Sequence, residues 1–498
     1  MRLIDLMKAK IYDDATFTPS LPKPQLELNI TGITADSRDV RKGFLFAALR
    51  GQKQDGRQFI SQAIQDGAIV ILAEEGTTLP KDIDTSHVLL ITDKNIRRRF
   101  AIMTANFYKA QPKTIVGVTG TNGKTSTVHF AQQLWQLLGN KSVSLGTLGV
   151  HGYRFKLPGK MTSPDPVRLH AALADVEAAG VTHLAMECSS HGLDQSRMDG
   201  VRMTAAAFTN LTRDHLDYHG SMDEYAKAKA RLFSNVLMPG GTAVINADAP
   251  YADMMIEAAK ARGQRVITFG NKGYDIKLKS QEPNALGQDI VLEVLGKDYE
   301  FHLPLIGLFQ AYNVMCALGL VMAEFIDKRD KVEELVRLLP HLKGVSGRVE
   351  LIEGHPKQAA VYVDYAHTPD ALEQVLSAVR PHTQNRIITV FGCGGDRDKG
   401  KRPLMAEIAT KLSDVVIVTD DNPRSENPDQ IRNDVMAKAP KALNIGDRKI
   451  AIAKAIEMAQ TGDVVVIAGK GHEQGQIIGD QTYPFDDRDE ARKAILSL

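Results

Sequence analysis

The residues that most clearly indicate chemistry lie in one stretch, Ile-Val-Gly-Val-Thr-Gly-Thr-Asn-Gly-Lys-Thr-Ser, residues 115–126. An apolar strand leads into a glycine-rich turn, and a Lys-Thr pair stands where a helix should begin. Backbone N–H groups at a helix start bind phosphate, a lysine adds positive charge, and a threonine hydroxyl can reach Mg²⁺. The sequence therefore predicts a nucleotide triphosphate site. Its residues are Gly120, Thr121, Asn122, Gly123, Lys124, Thr125 and Ser126.

This loop departs from the general phosphate-loop spacing, which places a glycine where the chain has Val118. The alternative interpretation is a glycine-rich turn that joins a strand to a helix without binding a nucleotide. Apolar residues recur at helical spacing after the turn, which favours the nucleotide site because a phosphate loop leads into a helix. They are Val128, Ala131, Leu134, Trp135 and Leu138.

Polar or glycine-rich segments follow several other apolar runs immediately after their ends. Ligands of open α/β sheets bind outside the carboxyl ends of the strands. We therefore expect these segments to form sites that face clefts between domains. The segments are 187–192, 364–369, 392–397, 420–424 and 469–473.

Glu187 and two histidines are candidate metal ligands. Glu187 ends an apolar run, where a carboxylate can bind Mg²⁺ directly or through water, although it could equally cap the next turn. His215 and His219 are four residues apart, so a helix would place them on one face. The His-Glu-x-x-His spacing of zinc proteases is missing from this segment. The following segment, 224–233, reads as a basic helix whose simplest interpretation is a solvated surface.

Arg424 follows an Asn-Pro pair that should form a rigid turn. A guanidinium group held in this way can bind a carboxylate at two points, which a lysine cannot do. The alternative is an ordinary surface-loop arginine. Asn313 and Arg348 are unremarkable when they are considered alone.

The elements that must position these residues fit an α/β protein of about three domains, because 498 residues are too many for one core. Polar or loop-like stretches at 107–113 and 341–347 predict the boundaries. The predicted domains are residues 1–110, 111–343 and 344–498. Each alternates short apolar runs with helical patterns, which indicates mostly parallel sheets covered by helices.

Composition excludes several classes of protein. A net charge of +1 and a pI near 7.7 give no electrostatic reason for a nucleic-acid partner. The three cysteines, Cys188, Cys316 and Cys393, are far apart and most simply are reduced thiols. We find no apolar run long enough to span a membrane and no secretory signal, so we expect a cytoplasmic protein without membrane insertion.

Six blocks in order make the chain resemble the Mur ligases of bacterial cell-wall synthesis. The resemblance covers nearly the whole sequence. It implies an N-terminal UDP-sugar-binding α/β domain, a central P-loop ATP-binding domain and a C-terminal Rossmann-like domain that binds the incoming amino acid. The blocks are 119–125, 187–192, 214–219, 364–369, 392–399 and 421–424.

The resemblance also implies a reaction. ATP with Mg²⁺ would phosphorylate the D-glutamyl carboxylate of UDP-N-acetylmuramoyl-L-alanyl-D-glutamate, and the amine of meso-diaminopimelate would displace the phosphate. The product would be a peptidoglycan precursor, which links the chain to cell-wall biogenesis, cell shape and cell division. We expect a monomer. The alternatives are the same ligase adding L-lysine, a folylpolyglutamate synthetase, and an ATP-binding scaffold that keeps the fold without the chemistry.

Residue roles follow from the same resemblance. Lys124, Glu187, His215 and Lys229 are the expected catalytic residues, and Thr125, Glu187, His215 and Lys229 the expected metal ligands. Lys229 would act as a carbamate, although Lys227 is close enough to be the alternative. Asn313, Arg348 and Asp364 would bind ATP from the junction of the central and C-terminal domains. The UDP-muramoyl-dipeptide would contact Ala35, Ser37, Gln52, Lys53, Gln54, Thr162, Ser163, Ser189, Gln195 and Arg197. Diaminopimelate would contact Arg397, Asp421, Asn422, Pro423, Arg424, Gly469 and Glu473.

Overall fold

A computed structural model describes residues 1–8, 22–51, 54–159, 161–284 and 287–498. Gln52 and Lys53, both predicted to contact the UDP-sugar, lie outside these ranges. The chain forms two compact units. One contains Met1–Lys277 and Met315–Leu335, and the other contains Leu278–Val314 and Val336–Leu498. The predicted domain boundaries after residues 110 and 343 stay predictions.

The N-terminal region of the first unit is a small parallel sheet in the order β1-β2-β3-β4, packed against helices. Its strand β3 is buried at nearly every position, which accounts for its continuous apolar sequence Ala-Ile-Val-Ile-Leu-Ala. Leu72 and Phe100 lie in the core between the sheet and the last helix of the region. The elements are α1 (Leu3–Met7), α2 (Lys23–Leu26), β1 (Gly32–Thr34), β2 (Phe44–Ala47), α3 (Ile60–Gln65), β3 (Ala68–Glu74), β4 (Leu89–Asp93) and α4 (Ile96–Tyr108).

The rest of the first unit is built around β5, whose six residues are all buried. β5 lies parallel to β9 on one side and to β10 on the other, while β7 and β8 extend the sheet with antiparallel pairs. The elements are β5 (Thr114–Thr119), α5 (Lys124–Leu137), β6 (Ser142–Gly146), β7 (Gly149–Gly152), β8 (Phe155–Pro158), α6 (Pro166–Ala178), β9 (His183–Glu187), α7 (Ser190–Asp194), β10 (Met203–Phe208), α8 (Leu216–His219), α9 (Met222–Arg231), β11 (Leu237–Asn246), α10 (Ala252–Lys260) and β12 (Arg265–Gly270).

A buried carboxylate joins the two regions of the first unit. Asp199 lies 3.5 Å from the Arg98 guanidinium of α4 and 3.5 Å from that of Arg231 in α9. Burial raises the pKa of Asp199, and the two arginines oppose that rise. Helix α9 is therefore anchored at its C-terminal end, close to Lys229 in sequence.

The second unit contains a sheet in the order β16-β17-β21-β18-β19-β20, parallel except at β16. The apolar runs predicted before the polar segments are confirmed as β17, β18, β19 and β21. The remaining elements of the chain are β13 (Ile276–Asn284), β14 (Gly287–Val294), β15 (Lys297–Leu303), α11 (Leu308–Met322), α12 (Arg329–Val336), β16 (Glu350–Ile352), β17 (Ala360–Asp364), α13 (Pro369–Val379), β18 (Ile387–Phe391), α14 (Lys401–Leu412), β19 (Val415–Val418), α15 (Pro428–Met436), β20 (Leu443–Asn444), α16 (Arg448–Met458), β21 (Val464–Ala468), β22 (Gly475–Ile478), β23 (Gln481–Pro484) and α17 (Asp487–Leu496).

A fully buried ion pair stabilises this six-stranded sheet at the edge where its parallel strands end. Arg448 bonds to both carboxylate oxygens of Asp487 at 2.7 Å and donates to the Ala468 carbonyl at 2.9 Å. Because Ala468 ends β21, the arginine fixes the point where the loop after β21 begins.

Two expectations from composition can be compared with the structure. The three cysteines are free thiols, and all are buried. Within the described part of the chain, no helix is both long enough and apolar enough to cross a membrane.

Candidate active site

The predicted phosphate loop connects β5 to α5. Val118, which stands where a glycine was expected, is a fully buried strand residue paired with Glu187 and Ala207. The strand continues to Thr119, so the turn begins at Gly120 and the helix at Lys124. The irregular spacing therefore reflects a longer strand, and the predicted helix after the loop is confirmed.

Gly120 is required by the shape of the loop. Its φ of 149° is unfavourable for residues with a side chain, and a Cβ here would overlap the Thr209 hydroxyl. That hydroxyl donates to the Asn122 carbonyl at 2.6 Å, and the Asn122 N–H donates to the Asn210 side chain at 2.9 Å. The segment after β10 thus holds the phosphate loop in one conformation.

Two lysines converge on one carbonyl of the loop. Lys124 Nζ donates to the Gly120 carbonyl at 2.9 Å and to the Thr121 carbonyl at 2.7 Å, and Lys229 Nζ donates to the same Gly120 oxygen at 2.8 Å. Lys229 is fully buried and lies 4.3 Å from the centre of the Tyr225 ring. Burial, and then the charge of Lys124, holds the pKa of Lys229 well below its usual range.

Lys227 has the opposite environment although it lies only two residues away. Its side chain is exposed and its ammonium bonds to Glu224 at 2.8 Å, which raises its pKa. Both lysines belong to α9, whose buried face carries Tyr225, Ala226 and Lys229. The interpretation of this segment as a solvated surface is correct for Lys227 and wrong for Lys229.

Glu187 is buried at the end of β9 and faces Thr125. Its carboxylate accepts hydrogen bonds from the Thr125 hydroxyl at 3.1 Å and from the Thr147 N–H at 2.8 Å. The next helix, α7, is capped by Ser189, so the structure does not support Glu187 as its cap. A hydroxyl and a carboxylate are thus placed together at the first turn of α5.

His215 occupies a strained position directly before α8, with a φ of 52°. Its ring lies 4.8 Å from that of His191, which also lies 5.5 Å from the ring of His219. The two predicted histidines therefore face a common neighbour, although His215 precedes the helix. Across residues 1–8, 22–51, 54–159, 161–284 and 287–498, no group of three or more His, Cys, Asp or Glu side chains is arranged to hold a metal ion.

Residues predicted to contact the muramoyl-dipeptide form one network beside β9. Arg197 donates to the Ser163 carbonyl at 2.7 Å and to the Gln195 side chain at 2.8 Å. The Ser163 hydroxyl donates to the Glu187 carbonyl at 3.1 Å and accepts from the Ser189 N–H at 3.0 Å. The fifth predicted residue, Thr162, lies 3.0 Å from Thr147 between their hydroxyl oxygens. The network therefore contacts Glu187, which also bonds to Thr125, and Thr147, which also bonds to Glu187.

The predicted UDP-sugar residues that the structure describes lie in loops of the N-terminal region. Ala35 is exposed after β1, and Ser37 begins the 3-10 turn Ser37–Asp39. The Gln54 carbonyl accepts from the Gly51 N–H at 2.8 Å. These residues are exposed or half-buried, as a binding loop requires, and their role stays a prediction.

The predicted ATP contacts outside the phosphate loop belong to the second unit. Asn313 is buried in α11 and bonds to Gln310 at 3.1 Å. Arg348 stacks 4.5 Å above the centre of the Tyr365 ring. Asp364 accepts the N–H groups of Val349 and Ala366, both at 2.7 Å, and burial raises its pKa. Arg348 and Asp364 are thus brought together at the end of β17.

Arg424 is held by a hairpin that sequence patterns did not reveal. Its φ is 52°, and its N–H donates to the Ile477 carbonyl at 3.1 Å while its carbonyl accepts from Gly479 at 2.8 Å. Its guanidinium donates to the Gly395 carbonyl at 2.8 Å, in the glycine turn after β18. The half-buried arginine is therefore not an unconstrained surface-loop residue. Arg397, the second predicted arginine, is exposed in the same turn.

Lys470 joins the loops after β19 and β21, although nothing in the residue pattern singles it out. It is fully buried, and its ammonium donates to the Asn422 side chain and the Gly475 carbonyl, both at 2.8 Å. Glu473 lies 3.4 Å from the same ammonium and accepts from Asn422 at 3.1 Å. Gly469 precedes Lys470 with a φ of 121°. The predicted residues Asp421–Arg424, Gly469 and Glu473 are thus assembled around a lysine.

Comparison with known proteins finds relatives along the whole chain. Family models for the Mur ligase family catalytic domain, the Mur ligase middle domain and the Mur ligase glutamate ligase domain match residues 29–108, 118–321 and 347–471. The UDP-N-acetylmuramoyl-L-alanyl-D-glutamate–2,6-diaminopimelate ligase of Brucella melitensis is 49% identical over 486 residues, which is 98% of each chain.

Solved structures agree with these matches. A structure of a UDP-N-acetylmuramoyl-L-alanyl-D-glutamate–2,6-diaminopimelate ligase is 34% identical with a TM-score of 0.71, and covers 100% of this chain and 99% of its own. The folylpolyglutamate synthase of Mycobacterium tuberculosis shares the fold at 19% identity and a TM-score of 0.61, with 75% of this chain and 92% of its own covered. Full-length matches at this level, together with the three family models, show that the chain belongs to the Mur ligase family, with its three-domain α/β architecture.

Proposed function

We propose that this chain is an ATP-dependent ligase that adds meso-diaminopimelate to a D-glutamyl carboxylate of UDP-N-acetylmuramoyl-L-alanyl-D-glutamate. This reaction is a step of peptidoglycan precursor synthesis. The observation that carries the proposal is a group of three loops at one edge of the six-stranded sheet of the second unit. Arg424, Arg397 and Glu473 lie in the loops that follow β19, β18 and β21. Guanidinium and carboxylate groups are what an amino-carboxylate ligand needs for recognition.

The chemistry explains why ATP is required. A carboxylate resists attack by an amine because its carbonyl carbon is electron-rich and oxide is a very poor leaving group. Transfer of the γ-phosphoryl group gives an acyl phosphate and ADP. The amine then forms the amide bond, phosphate leaves with the bond electrons, and the amine loses a proton. Positioning and charge stabilisation are the main contributions that a protein makes to phosphoryl transfer.

Lys124 supplies positive charge in this scheme. Its ammonium already lies at the mouth of the phosphate loop, bonded to the Gly120 and Thr121 carbonyls. We propose that it moves to the phosphate oxygens of ATP, where it stabilises charge on the transferred group. The N–H groups of Thr121 and Asn122 donate to Asn210, so we propose that the N–H groups from Gly123 to Ser126, at the helix start, bind the same phosphates.

The residues around Thr125 suit Mg²⁺, which prefers oxygen ligands and commonly binds one or two carboxylates together with substrate phosphates. Thr125 and Glu187 already bring a hydroxyl and a carboxylate within 3.1 Å of each other. We propose Thr125, Glu187, His215 and a carbamate on Lys229 as the groups that hold the metal. When bound, Mg²⁺ would neutralise charge on the phosphate oxygens.

Lys229, rather than Lys227, is our proposed site of the carbamate. Carbon dioxide reacts with an uncharged amine, and the lowered pKa of Lys229 favours that form. Lys227 is exposed, paired with Glu224 and kept protonated by a raised pKa. Conversion of Lys229 into an anion would also remove the repulsion between its ammonium and that of Lys124.

The remaining substrate contacts are proposals on the same basis. Asn313, Arg348 and Asp364 would bind ATP. Ser163, Ser189 and Arg197 form a network with Glu187 that would receive the dipeptide arm near the metal. The UDP end would lie against Ala35, Ser37 and Gln54, together with Gln52 and Lys53.

Arg424 favours meso-diaminopimelate over L-lysine. The distal end of diaminopimelate carries a carboxylate beside its amine, whereas lysine ends in the amine alone. A guanidinium fixed by Gly395 and by the hairpin would bind that carboxylate at two points. With lysine, the same arginine would lose this partner, which costs binding free energy.

A folylpolyglutamate synthetase and a non-catalytic scaffold have less support than the ligase. The synthetase would leave the N-terminal region and Arg424 without a role, and that likeness shows the fold alone. A scaffold would not need Lys229 buried beside Lys124. Because ATP and UDP-sugars are cytoplasmic metabolites, we also propose a cytoplasmic location. The monomeric state stays a prediction.

The test is phosphate release from MgATP in the presence of UDP-N-acetylmuramoyl-L-alanyl-D-glutamate and one amino acid. We expect release to depend on both substrates and to be much faster with meso-diaminopimelate than with lysine. Equal rates would contradict the proposed specificity. No turnover with either amino acid would favour the scaffold.

A further inference from the structure

Lys470 is a lysine whose charged group is enclosed by other residues. Its side chain is fully buried, and its ammonium donates to the Asn422 side-chain oxygen and the Gly475 carbonyl, both at 2.8 Å. Asp421 and Glu473 lie 3.5 and 3.4 Å away and supply negative charge. An ammonium has three N–H donors, and these neighbours engage them. Lys470 therefore has no donor to spare for a substrate.

The partners of Lys470 belong to three different segments. Asn422 lies after β19, Glu473 lies after β21, and Gly475 begins the β22–β23 hairpin. The Asn422 side chain makes two further contacts, to Glu473 at 3.1 Å and to the Ile477 N–H at 3.0 Å. One buried charge thus fixes the relative positions of all three segments.

The β22–β23 hairpin connects the segments held by Lys470 to Arg424. The Arg424 N–H bonds to the carbonyl of Ile477 at 3.1 Å, and Ile477 ends the Gly475–Ile477 stretch that Lys470 and Asn422 hold. The Gln476 side chain adds a bond to the Asp421 carbonyl at 2.7 Å. Arg424 keeps its unfavourable φ because these bonds surround it.

We propose that Lys470 is a positioning residue for amino-acid selection. Its ammonium holds Asn422, Glu473 and, through the hairpin, Arg424 in the arrangement that receives the incoming amino acid. This inference rests on the proposed function, because it takes the loops after β19 and β21 as the amino-acid site. Lys470 itself does not contact the amino acid.

The first test is a Lys470→Met variant, which keeps the length and removes the charge. We expect its KM for meso-diaminopimelate to rise about tenfold or more, since charged hydrogen bonds that order the site are lost. The KM values for ATP and for the UDP-substrate should change by less than about twofold. A matched control is Lys454→Met, which removes an exposed lysine of the same unit that is paired with Glu457. Equal increases in all three KM values would overturn the proposal.

A double-mutant cycle asks whether Lys470 acts through Glu473. In a Glu473→Gln background, the substitution of Lys470 should raise the diaminopimelate KM by a smaller factor than in the wild-type chain. Additive effects would overturn the proposed route. If Lys470→Met does not fold, the cycle uses Lys470→Gln instead, because glutamine keeps an N–H donor for the Asn422 oxygen.

Hydrogen exchange separates this inference from the proposed function. In Lys470→Met without substrates, the Arg424 and Ile477 amides should exchange faster, while those of β18 should not change. Unchanged exchange at Arg424 and Ile477 would overturn the proposal even in an active enzyme. A wild-type chain that turns over neither amino acid would overturn the proposed function, and the exchange result would still decide whether Lys470 orders the loops.

Discussion

Lys229 and Lys470 are both fully buried lysines, but their surroundings differ in kind. Lys229 bonds to a backbone carbonyl, lies against an aromatic ring and is close to a second ammonium, that of Lys124. Lys470 has Asp421 and Glu473 within 3.5 Å and an amide oxygen at 2.8 Å. The charge of Lys470 is compensated within the fold. The charge of Lys229 is repelled by Lys124, and the attraction of Asp214 is smaller than that repulsion.

This contrast indicates which buried lysine takes part in chemistry. Burial of an uncompensated charge is costly, so the group tends to lose its charge or to acquire a counter-ion. A carbamate on Lys229 or a phosphate beside Lys124 would supply the missing negative charge. A lysine that already has its counter-ions, such as Lys470, is suited to hold structure in place.

The largest expected effect is on turnover in Lys229→Met. We expect a loss of about a thousandfold or more, because the variant cannot form the carbamate that we propose as a metal ligand. Lys227→Met is the matched control on the same helix, and its turnover should stay within about twofold. Initial rates at saturating substrates measure both. Full activity of Lys229→Met, or an equal loss in Lys227→Met, would contradict the proposal that Lys229 and not Lys227 takes part in the reaction.

The second prediction concerns stability, for which we expect the substitution of Lys470 to have the larger effect. Lys470→Met should lower the free energy of unfolding by about 3 kcal/mol, since it removes the positive charge beside the buried Asp421 carboxylate and the partly exposed Glu473 carboxylate. Lys229→Met should leave it unchanged or raise it by about 1 kcal/mol, because an opposed buried charge is removed. Denaturant midpoints measured without carbon dioxide provide the comparison. Equal destabilisation by the two substitutions would show that the surroundings do not distinguish these residues.

Arg424→Ala extends the comparison to the amino-acid site. The KM for meso-diaminopimelate should rise about thirtyfold, because a charged two-point contact is lost, and the KM for ATP should not change. Arg492→Ala, which removes an exposed arginine paired with Glu350 and Asp489, is the control. Unaltered KM values for both substrates in Arg424→Ala would contradict its role in selection.

The pH dependence of stability tests Lys229 directly. The folded chain lowers the pKa of Lys229 below 10.5, so between the two pKa values the unfolded chain binds more protons and stability rises with pH. The stability of Lys229→Met relative to wild type should therefore be greatest below the lowered pKa and decline as pH approaches 10.5. Paired melts across pH, without carbon dioxide, measure this difference, and a constant difference would contradict the lowered pKa.

Bicarbonate provides a second readout of the same lysine. If carbon dioxide adds to folded Lys229 alone, bicarbonate should stabilise the wild type, by about 1.4 kcal/mol at ten times the dissociation constant. Lys229→Met should not respond. An equal response of the two chains would indicate a general effect of the salt.

The smallest expected effect concerns the start of α9. The Ser221 hydroxyl accepts the Glu224 N–H at 3.2 Å, so Ser221→Ala should cost about 1 kcal/mol of stability. Turnover at saturating substrates should be unchanged, because α9 is also anchored at its other end by the contact between Arg231 and Asp199. Denaturant midpoints and initial rates measure the two effects, and a large loss of turnover would show that the cap itself positions Lys229.

Much of the fold could be predicted from the sequence because its signals are local. The run ending at Thr119, the glycine turn and the helical spacing after Lys124 each specify their own conformation. The strands before Glu187 and Asp420 were predictable for the same reason. Buried parallel strands are continuously apolar, and the polar loops begin where this pattern stops.

The side-chain environments could not be predicted, since they depend on residues that are distant in sequence. Lys229 lies on the buried face of α9 and meets a carbonyl 109 positions away. Lys470 meets Asn422 across 48 positions. A single sequence shows that both residues are lysines but does not show which partners the fold supplies.

The most direct test of the acyl-phosphate mechanism follows ¹⁸O from the substrate carboxylate. UDP-N-acetylmuramoyl-L-alanyl-D-glutamate, labelled in both oxygens of the reacting carboxylate, is incubated with the chain, MgATP and meso-diaminopimelate, and the products are weighed by mass spectrometry. We predict one ¹⁸O in the released phosphate and one in the new amide, because the acyl phosphate loses one carboxylate oxygen to phosphate. Unlabelled phosphate, or release of phosphate without a diaminopimelate adduct, would contradict the mechanism.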